Sequence, residues 1–376
     1  MNITLINPLL NYTRGGAEVN DLNLGRSLHD LGHNVTYLIS LRGDEADSQL
    51  PDWANVSGVQ LSRFSWKLFS RRNVLGKLYR FLFFYEFANR INTEEPKCLE
   101  TADLILLTGR PSLARVRKVS NAPVIYSARG RIGNFNEWFA RRADGLIFWG
   151  GCEMDNPSRF ASRGPFLKVD PGVDETVFYP GTSNMNLERS LRCGEAETAH
   201  VVFAGRLDPV KRVEHIIRAV GSVVNQGWSV YLSIVGDGSV RPELEHLAGT
   251  NLPGRVTFHG RQEPSALADI LRASDVFMLT SRTENHPICI KEALACGLDV
   301  IAYGVGRVPQ LLAGQNNSTV VPVGDEAALA EALRQRVDKG RIPPEQRVAS
   351  NAVTWRDVAE KIVSWSEKEF KHRGPR

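Results

Sequence analysis

The stretch HVVFAGRLDPVKR, residues 200–212, decides the class of fold that this chain adopts. Its first part, residues 200–204, is a short apolar run that predicts a buried strand, and the remainder is a loop that enters the next helix. Strands that alternate with helices predict a parallel sheet covered by helices. Such an alternation continues here, with further apolar runs at 229–235, 256–259, 275–279 and 300–302.

The beginning of the chain shows the same organisation. Residues 3–6 predict a strand, and leucines then recur every three or four residues along a helix that Gly32 should end. Residues 35–40 predict the next strand, which completes a βαβ unit. Further strands are predicted at 103–107, 123–127 and 145–149. The first part of the chain is therefore expected to be Rossmann-like, and the second part repeats its architecture.

The predicted domain boundary lies where the chain becomes polar and loses its periodicity, from residue 181 to about residue 199. We expect a first domain over residues 1–180 and a second over residues 181–354. Residues 355–370 form an amphipathic pattern, and the segment 355–376 is expected to cross back to the first domain.

Bulk properties indicate a globular protein of two domains. The chain has 376 residues, of which 42% are hydrophobic and 23% charged. A net charge of +4 gives no whole-protein field that would favour a nucleic-acid partner, although a local basic surface is compatible with it. The five cysteines form no C-x-x-C pair, which is typical of reduced thiols in the cytoplasm. Neither a signal peptide nor a membrane-spanning helix is expected.

Two cations, Arg206 and Lys211, follow the strand at residues 200–204. Ligands of open α/β sheets bind outside the carboxyl ends of strands, so both side chains are expected at the binding crevice. A guanidinium and an ammonium together would suit a diphosphate and the charge that develops on a departing phosphate. Solvated surface charges are the alternative explanation.

Two acids, Glu284 and Glu292, flank a helix start in the segment ENHPICIKE. Pro287 suits the first helical turn, whose free amides would face the crevice. The two carboxylates are able to accept hydrogen bonds from different hydroxyl groups of one extended ligand, such as a sugar and a ribose. A capping acid and a helix-surface acid would look the same in sequence.

The pair Gly15 and Gly16 follows the first strand and precedes the first helix. Backbone amides at such a helix start bind phosphate, and a tight turn that needs glycine torsions is an equal alternative. The motif G-x-G-x-x-G is absent, which weighs against a nicotinamide site.

Seven motifs in order make the chain resemble the retaining, family 4 glycosyltransferases of the GT-B fold over nearly its whole length. The motifs are GGAE (15–18), VDPGVDETVFYP (169–180), FAGRLDPVK (203–211), SIVGDG (233–238), VTFHG (256–260), ASDVFMLTSRTENHP (273–287) and IKEALACGLDVIAYGVG (290–306). The resemblance implies two Rossmann-like domains that face each other across a cleft.

The resemblance also implies roles for individual residues. Arg206, Lys211 and Glu284 would be catalytic: the two cations would bind the donor diphosphate and Glu284 would contact the transferred sugar. Glu292 would contact the ribose. The other implied donor-binding residues are Gly15, Gly16, Gly205, Arg261, Gln262, His286, Pro287 and Ile288. Arg261 and Gln262 would lie near the nucleobase.

Members of the family generally retain the anomeric configuration and need no metal or other cofactor. This chain lacks a D-x-D motif, in agreement with that expectation. The resemblance implies a front-face mechanism in which the leaving phosphate accepts the proton of the acceptor while the cations stabilise its charge.

The chain departs from the family pattern at two places. Arg129 stands in YSARGR where a histidine is frequent, and it would contact a phosphate or the acceptor, or be structural. Gln310 stands where an acid is frequent.

Residues 63–87 alternate basic and aromatic side chains, which predicts either a face for an anionic membrane or core aromatics beside solvated cations.

The expected activity is transfer of a sugar from a UDP- or GDP-sugar to a glycan, a lipid-linked or a small-metabolite acceptor, in the cytoplasm and in surface polysaccharide assembly. An epimerase or phosphorylase on the same fold is one rival, since folds do not fix functions. A catalytically silent nucleotide-sugar-binding or scaffold protein is the other.

Overall fold

The computed structural model divides the chain into two compact units, Met1–Pro171 together with Trp355–Arg376, and Gly172–Thr354. The structure describes residues 1–10, 16–42, 52–61, 74–94, 96–108, 120–128, 142–150, 164–182, 198–284, 286–315, 318–343, 346–349 and 353–371.

The first unit contains a parallel sheet of seven strands in the order β3-β2-β1-β4-β5-β6-β7. These strands are β1 (Asn2–Ile6), β2 (Asn34–Arg42), β3 (Asn55–Leu61), β4 (Leu104–Thr108), β5 (Val124–Ala128), β6 (Gly145–Trp149) and β7 (Phe166–Val169). The helices described in its N-terminal part are α1 (Gly16–Asp30), α2 (Val74–Glu94) and α3 (Lys97–Glu100).

Both faces of this sheet are buried, because successive strand residues point to opposite sides. Along β1, Leu5 packs in the cluster that contains α1, whereas Ile6 packs in the cluster that contains α2. Gly32 ends α1 with a positive φ of 84°, and its amide donates to the carbonyl of His29 at 2.8 Å. The predicted helix stop is confirmed.

The second unit contains a parallel sheet of six strands in the order β10-β9-β8-β11-β12-β13. They are β8 (Ala199–Ala204), β9 (Val230–Val235), β10 (Val256–Gly260), β11 (Val276–Leu279), β12 (Asp299–Tyr303) and β13 (Thr319–Val321). The described helices are α4 (Val213–Asn225), α5 (Arg241–Asn251), α6 (Pro264–Ala273), α7 (Ile288–Ala295), α8 (Val308–Leu312) and α9 (Glu326–Asp338).

The two sheets share one winding order. When the strands of each unit are counted from its own first strand, both sheets begin 3-2-1-4-5-6. In this doubly wound order the direction in which successive strands are added reverses between the first and fourth strands, which leaves a crevice at their carboxyl ends. The predicted pair of Rossmann-like domains, and the repetition of the first architecture in the second, are confirmed.

The last helix, α10 (Trp355–Phe370), belongs to the first unit, where it packs against α1. Its buried residues recur at helical spacing, with Trp355, Val358 and Ile362 on one face. The ring of Trp355 lies 5.8 Å from that of Trp149 on β6. Burial of this apolar stripe, and not helix propensity, accounts for the helix position.

The basic aromatic stretch at residues 63–87 is described from residue 74 onward, as part of α2. Phe83, Phe84 and Phe87 are buried in the core of the first unit, as the core alternative predicts. An opposite stripe is exposed, with Leu78 at 54% and Leu82 at 51% of their accessible surface. No helix in the described ranges is long and apolar enough to cross a membrane.

Candidate functional site

Most of the predicted site residues lie in loops that follow the strands of the second unit. Gly205 to Lys211 follow β8, Arg261 and Gln262 follow β10, and Glu284 follows β11. Strands β8 and β11 are the neighbours between which the winding reverses. Parallel strands end at one edge, so the predicted residues of this unit come together at the carboxyl edge of its sheet.

The centre of the site is an ion pair between Lys211 and Glu284. The Lys211 Nζ lies 2.5 Å from Glu284 Oε1, and the two side chains retain 18% and 11% of their accessible surface. Ser281 donates its hydroxyl to the same oxygen at 2.6 Å. One carboxylate oxygen thus carries two strong contacts in a poorly solvated place, where charge interactions are stronger than in water.

Local sequence explains how Lys211 reaches this position. Pro209 begins a single 3₁₀ turn that ends at Lys211, and Arg212 then takes a left-handed conformation before α4 starts. The amide of Arg282 donates to the carbonyl of Val210 at 2.7 Å, which ties this turn to the loop after β11. The ammonium is therefore directed across the crevice and not along the surface.

Two glycines allow the loops to approach each other closely. Gly236 has φ of 132°, and a Cβ at this position would overlap the carbonyl oxygen of Gly205. Gly306 has φ of 53°, and a Cβ there would overlap the carbonyl oxygen of Glu284. Only glycine combines these torsions with such contacts. The motifs SIVGDG and YGVG therefore position Gly205 and Glu284, a role that their sequence alone does not show.

The two predicted cations are not equivalent. Arg206 retains 73% of its side-chain surface and lies 2.7 Å from Asp208 Oδ2. The structure therefore brings Lys211 to Glu284 but leaves Arg206 exposed in the same loop. Arg206 is thus a solvated surface charge beside Asp208, and its exposed guanidinium is free to turn toward an incoming anion.

Glu292 lies on α7, in the neighbourhood of the ion pair. Burial raises the pKa of the Cys289 thiol, one turn earlier, to about 12, and the nearby charges of Lys211, Glu284 and Glu292 act on the same thiol. Burial likewise raises the pKa of Glu292 to about 7. Among the described residues its carboxyl has no hydrogen-bond or ion-pair partner. Its carboxylate oxygens are able to accept a hydrogen bond from a ligand hydroxyl.

The Glu292→Gln variant is expected to stabilise the ligand-free protein at high pH. Between pH 4.5 and 7 the folded state binds a proton that the unfolded state has lost, so this carboxyl reduces stability as the pH rises through that window. Removing it should raise the free energy of unfolding at pH 8 by about 1–3 kcal/mol, with little change at pH 4.5.

Urea denaturation at both pH values checks this expectation. Glu331→Gln is the matched control, because Glu331 is an exposed glutamate bonded to Arg334 and should give no such gain. An equal effect of Glu292→Gln at pH 4.5 and pH 8 would show that the carboxyl titrates normally.

The remaining predicted residues occupy varied positions. Arg261 is exposed, and the Gln262 amide donates to the carbonyl of His259 at 2.6 Å, at the end of β10. Pro287 is buried at the N-cap position, one residue before α7 begins, and His286 and Ile288 are partly buried beside it. The first-turn amides of α7 thus lie at the same edge as Glu284.

The predicted residues of the first domain are only partly described. Gly16 begins α1 after β1, whereas Gly15 and Arg129 lie outside the described residues. Within the described ranges no group of three or more His, Cys, Asp or Glu side chains is arranged to hold a metal ion.

Residues 198–339, which include most of this site, match the family model described as Glycosyl transferases group 1. A curated relative, D-inositol 3-phosphate glycosyltransferase of Mycobacteroides abscessus, is 29% identical over 201 residues. The alignment covers 52% of this chain and 45% of that relative, so the chain spans about half of its length.

Solved structures resemble the chain over nearly all of its length. An Anabaena protein, HepE, in complex with UDP and glucose, is 18% identical with a TM-score of 0.64, and the match covers 98% of this chain and 95% of that one. WaaG, a glycosyltransferase involved in lipopolysaccharide biosynthesis, is 17% identical with a TM-score of 0.63, covering 98% and 96%. At this identity the likeness shows the fold alone.

Proposed function

Because this chain carries a group 1 glycosyltransferase domain and has the GT-B fold, we propose that it transfers a sugar from a nucleotide-sugar to an acceptor. The observation that carries the proposal is the pair of Lys211 and Glu284, 2.5 Å apart at the carboxyl edge of the second sheet. A cation beside a carboxylate offers one group for a diphosphate and one for a sugar hydroxyl.

In the proposed reaction the bond between the anomeric carbon and the diphosphate oxygen breaks, and the acceptor oxygen forms a bond to the same face of that carbon. The acceptor proton passes to the leaving phosphate. Lys211 and Arg206 stabilise the charge on that phosphate, and Glu284 orients the sugar through its hydroxyls. Retention of configuration is part of the proposal. So is metal independence, with the cations and the α7 amides supplying the positive charge.

The proposed donor is a UDP- or GDP-sugar, and Glu292 is the proposed contact of the ribose. The UDP bound to the Anabaena protein of the same fold supports a nucleoside diphosphate. The proposed acceptor is a glycan, a lipid-linked sugar or a small metabolite, with Arg129 as a contact. The involvement of WaaG in lipopolysaccharide biosynthesis supports surface polysaccharide assembly in the cytoplasm as the setting.

Thermal unfolding in the presence of UDP, GDP or ADP, with EDTA, tests donor binding. A ligand that binds only the folded state raises the free energy of unfolding, by about 2.7 kcal/mol when its concentration is one hundred times Kd. The melting temperature rises accordingly. One nucleotide is expected to stabilise the protein well beyond the other two, which would identify the base.

Three outcomes are informative in that experiment. Stabilisation only after magnesium is restored would overturn metal independence and leave the donor site standing. Stabilisation without any sugar transfer to candidate acceptors would favour the silent binding protein. No stabilisation by any nucleotide, with or without magnesium, would overturn the transferase proposal.

We also propose that the exposed stripe of α2 contacts an anionic membrane surface at the inner face of the membrane. Leu75, Leu78 and Leu82 are each at least half exposed on one side of this helix. From residue 63 to residue 87 the sequence holds six basic residues and a single acid, Glu86. Apolar side chains beside cations are the chemistry that binds anionic headgroups.

Sedimentation with phospholipid vesicles measures this contact. Binding is expected with vesicles that contain anionic phospholipid, and it should weaken at high salt and fall strongly in Leu78→Gln/Leu82→Gln. The control is Val348→Gln in the second unit, which alters a valine that is 83% exposed. Equal sedimentation of both variants, or equal binding to neutral vesicles, would contradict the contact.

A further inference from the structure

The turn that carries Lys211 depends on a backbone conformation that is rare outside glycine. Arg212 has φ of 48° and ψ of 46°, and it is the one non-glycine residue with positive φ among those the structure describes. Residues with a Cβ disfavour this left-handed backbone conformation, so surrounding contacts must hold the turn in place. The direction of the Lys211 side chain depends on that turn, because Lys211 immediately precedes Arg212.

A buried hydroxyl supplies such a contact from the neighbouring strand. Thr280, directly after β11, has no exposed surface. Its Oγ1 lies 2.8 Å from the carbonyl oxygen of Arg212 and 3.1 Å from that of Lys211. One hydroxyl proton thus serves two carbonyls in a three-centre bond at the end of a turn. The two carbonyls lie 69 and 68 positions before Thr280 in the sequence, so this bond joins two distant loops.

We propose that Thr280 is a positioning residue, which acts through Lys211 on the diphosphate of the donor. The loop after β11 then holds both ends of the lysine: Thr280 holds its main chain, and Glu284 holds its ammonium. A diphosphate competes with Glu284 for the ammonium but not with Thr280 for the carbonyls. The lysine therefore stays aimed at the crevice when it exchanges one anion for the other. This inference rests on the proposed function.

The test compares Thr280→Val with Thr280→Ser. Valine keeps the branched shape and loses the hydroxyl, whereas serine keeps the hydroxyl. Affinity is measured for UDP, GDP and ADP and for the corresponding nucleosides. For the nucleotide that the wild type prefers, Thr280→Val should weaken diphosphate binding about 10-fold and leave nucleoside binding unchanged, because only the diphosphate meets Lys211. Thr280→Ser should bind like the wild type.

A double-mutant cycle separates positioning from general stability. In a Lys211→Ala background, Thr280→Val should have no further effect on diphosphate affinity. Thr257→Val is the matched control, because it removes a hydroxyl that bonds Tyr231 at 2.6 Å elsewhere in the same sheet. Should Thr280→Val not fold, Thr280→Ala carries the same comparison with a smaller side chain.

The outcomes distinguish this inference from the proposed function. Diphosphate binding by the wild type together with an unchanged affinity in Thr280→Val overturns the positioning role alone. An equal loss of nucleoside and diphosphate affinity also overturns it, since the residue would then only maintain the fold. A wild type that binds none of the three nucleotides overturns the proposed function and this inference with it.

Discussion

Lys211→Ala is expected to lower kcat/KM for sugar transfer by about 10²–10³-fold. A preorganised cation aimed at a developing phosphate charge typically contributes a factor of that size. The loss should exceed that of Arg206→Ala, because the Lys211 side chain retains only 18% of its accessible surface whereas that of Arg206 retains 73%. Initial rates with the nucleotide-sugar identified by thermal unfolding measure both variants. A near-normal kcat/KM in Lys211→Ala would exclude Lys211 from the reaction.

The same change should destabilise the protein, and the two effects need to be separated. Without Lys211, Glu284 would be a poorly solvated carboxylate with only Ser281 as a partner, and breaking such a pair costs up to about 3–5 kcal/mol when it is fully buried. Adding Glu284→Gln removes the uncompensated charge, so the double variant should regain stability without regaining activity. Arg218→Ala is the control, because it removes an exposed cation paired with Glu326 and should change kcat/KM less than twofold.

Gly236→Ala is expected to cause a large loss of stability through a single methyl group. The new Cβ would overlap the carbonyl oxygen of Gly205, and this oxygen belongs to the backbone, so it is unable to rotate away as a side chain would. The φ of 132° adds strain that only glycine avoids. We expect a loss of about 4 kcal/mol or more in the free energy of unfolding, together with loss of nucleotide binding as the loop of Gly205 is displaced.

Urea denaturation measures this loss, and Gly249→Ala provides the control. Gly249 lies in α5, and a Cβ there would meet no atom within 4 Å. Alanine is the better helix former, so that variant should gain up to about 1 kcal/mol. Similar stabilities for Gly236→Ala and the wild type would mean that the loop of Gly205 moves without cost.

The strands that sequence analysis predicted are confirmed, and the ones it did not predict share a feature. β3 and β7 are the two edges of the first sheet, and β13 is an edge of the second. An edge strand has one neighbour and is less enclosed, so it needs no continuous apolar run: β13 reads TVV with two exposed residues, and β7 includes an exposed lysine. Hydrophobic periodicity finds the central strands because both of their faces are buried, and it also finds β10, the other edge of the second sheet.

The site was predictable in its chemistry more than in its geometry. Both acids and both cations are recognisable from their positions after strands or at a helix start. Their sequence does not show that Lys211 would pair with Glu284, a residue 73 positions away, while Arg206 in the same loop would not. Thr280 gives no signal, since one threonine after a strand has no distinctive pattern.

Local sequence by itself determined the parallel α/β class, the two Rossmann-like halves, and the kinds of charge at the ends of their strands, because strand and helix periodicities are read over a few neighbouring residues. Only the tertiary structure decided that β8 lies beside β11, that Thr280 and Glu284 hold the two ends of Lys211, and that the pKa of Glu292 rises to about 7. Those properties depend on strand adjacency and on removal from water, and both arise from segments that are distant in sequence.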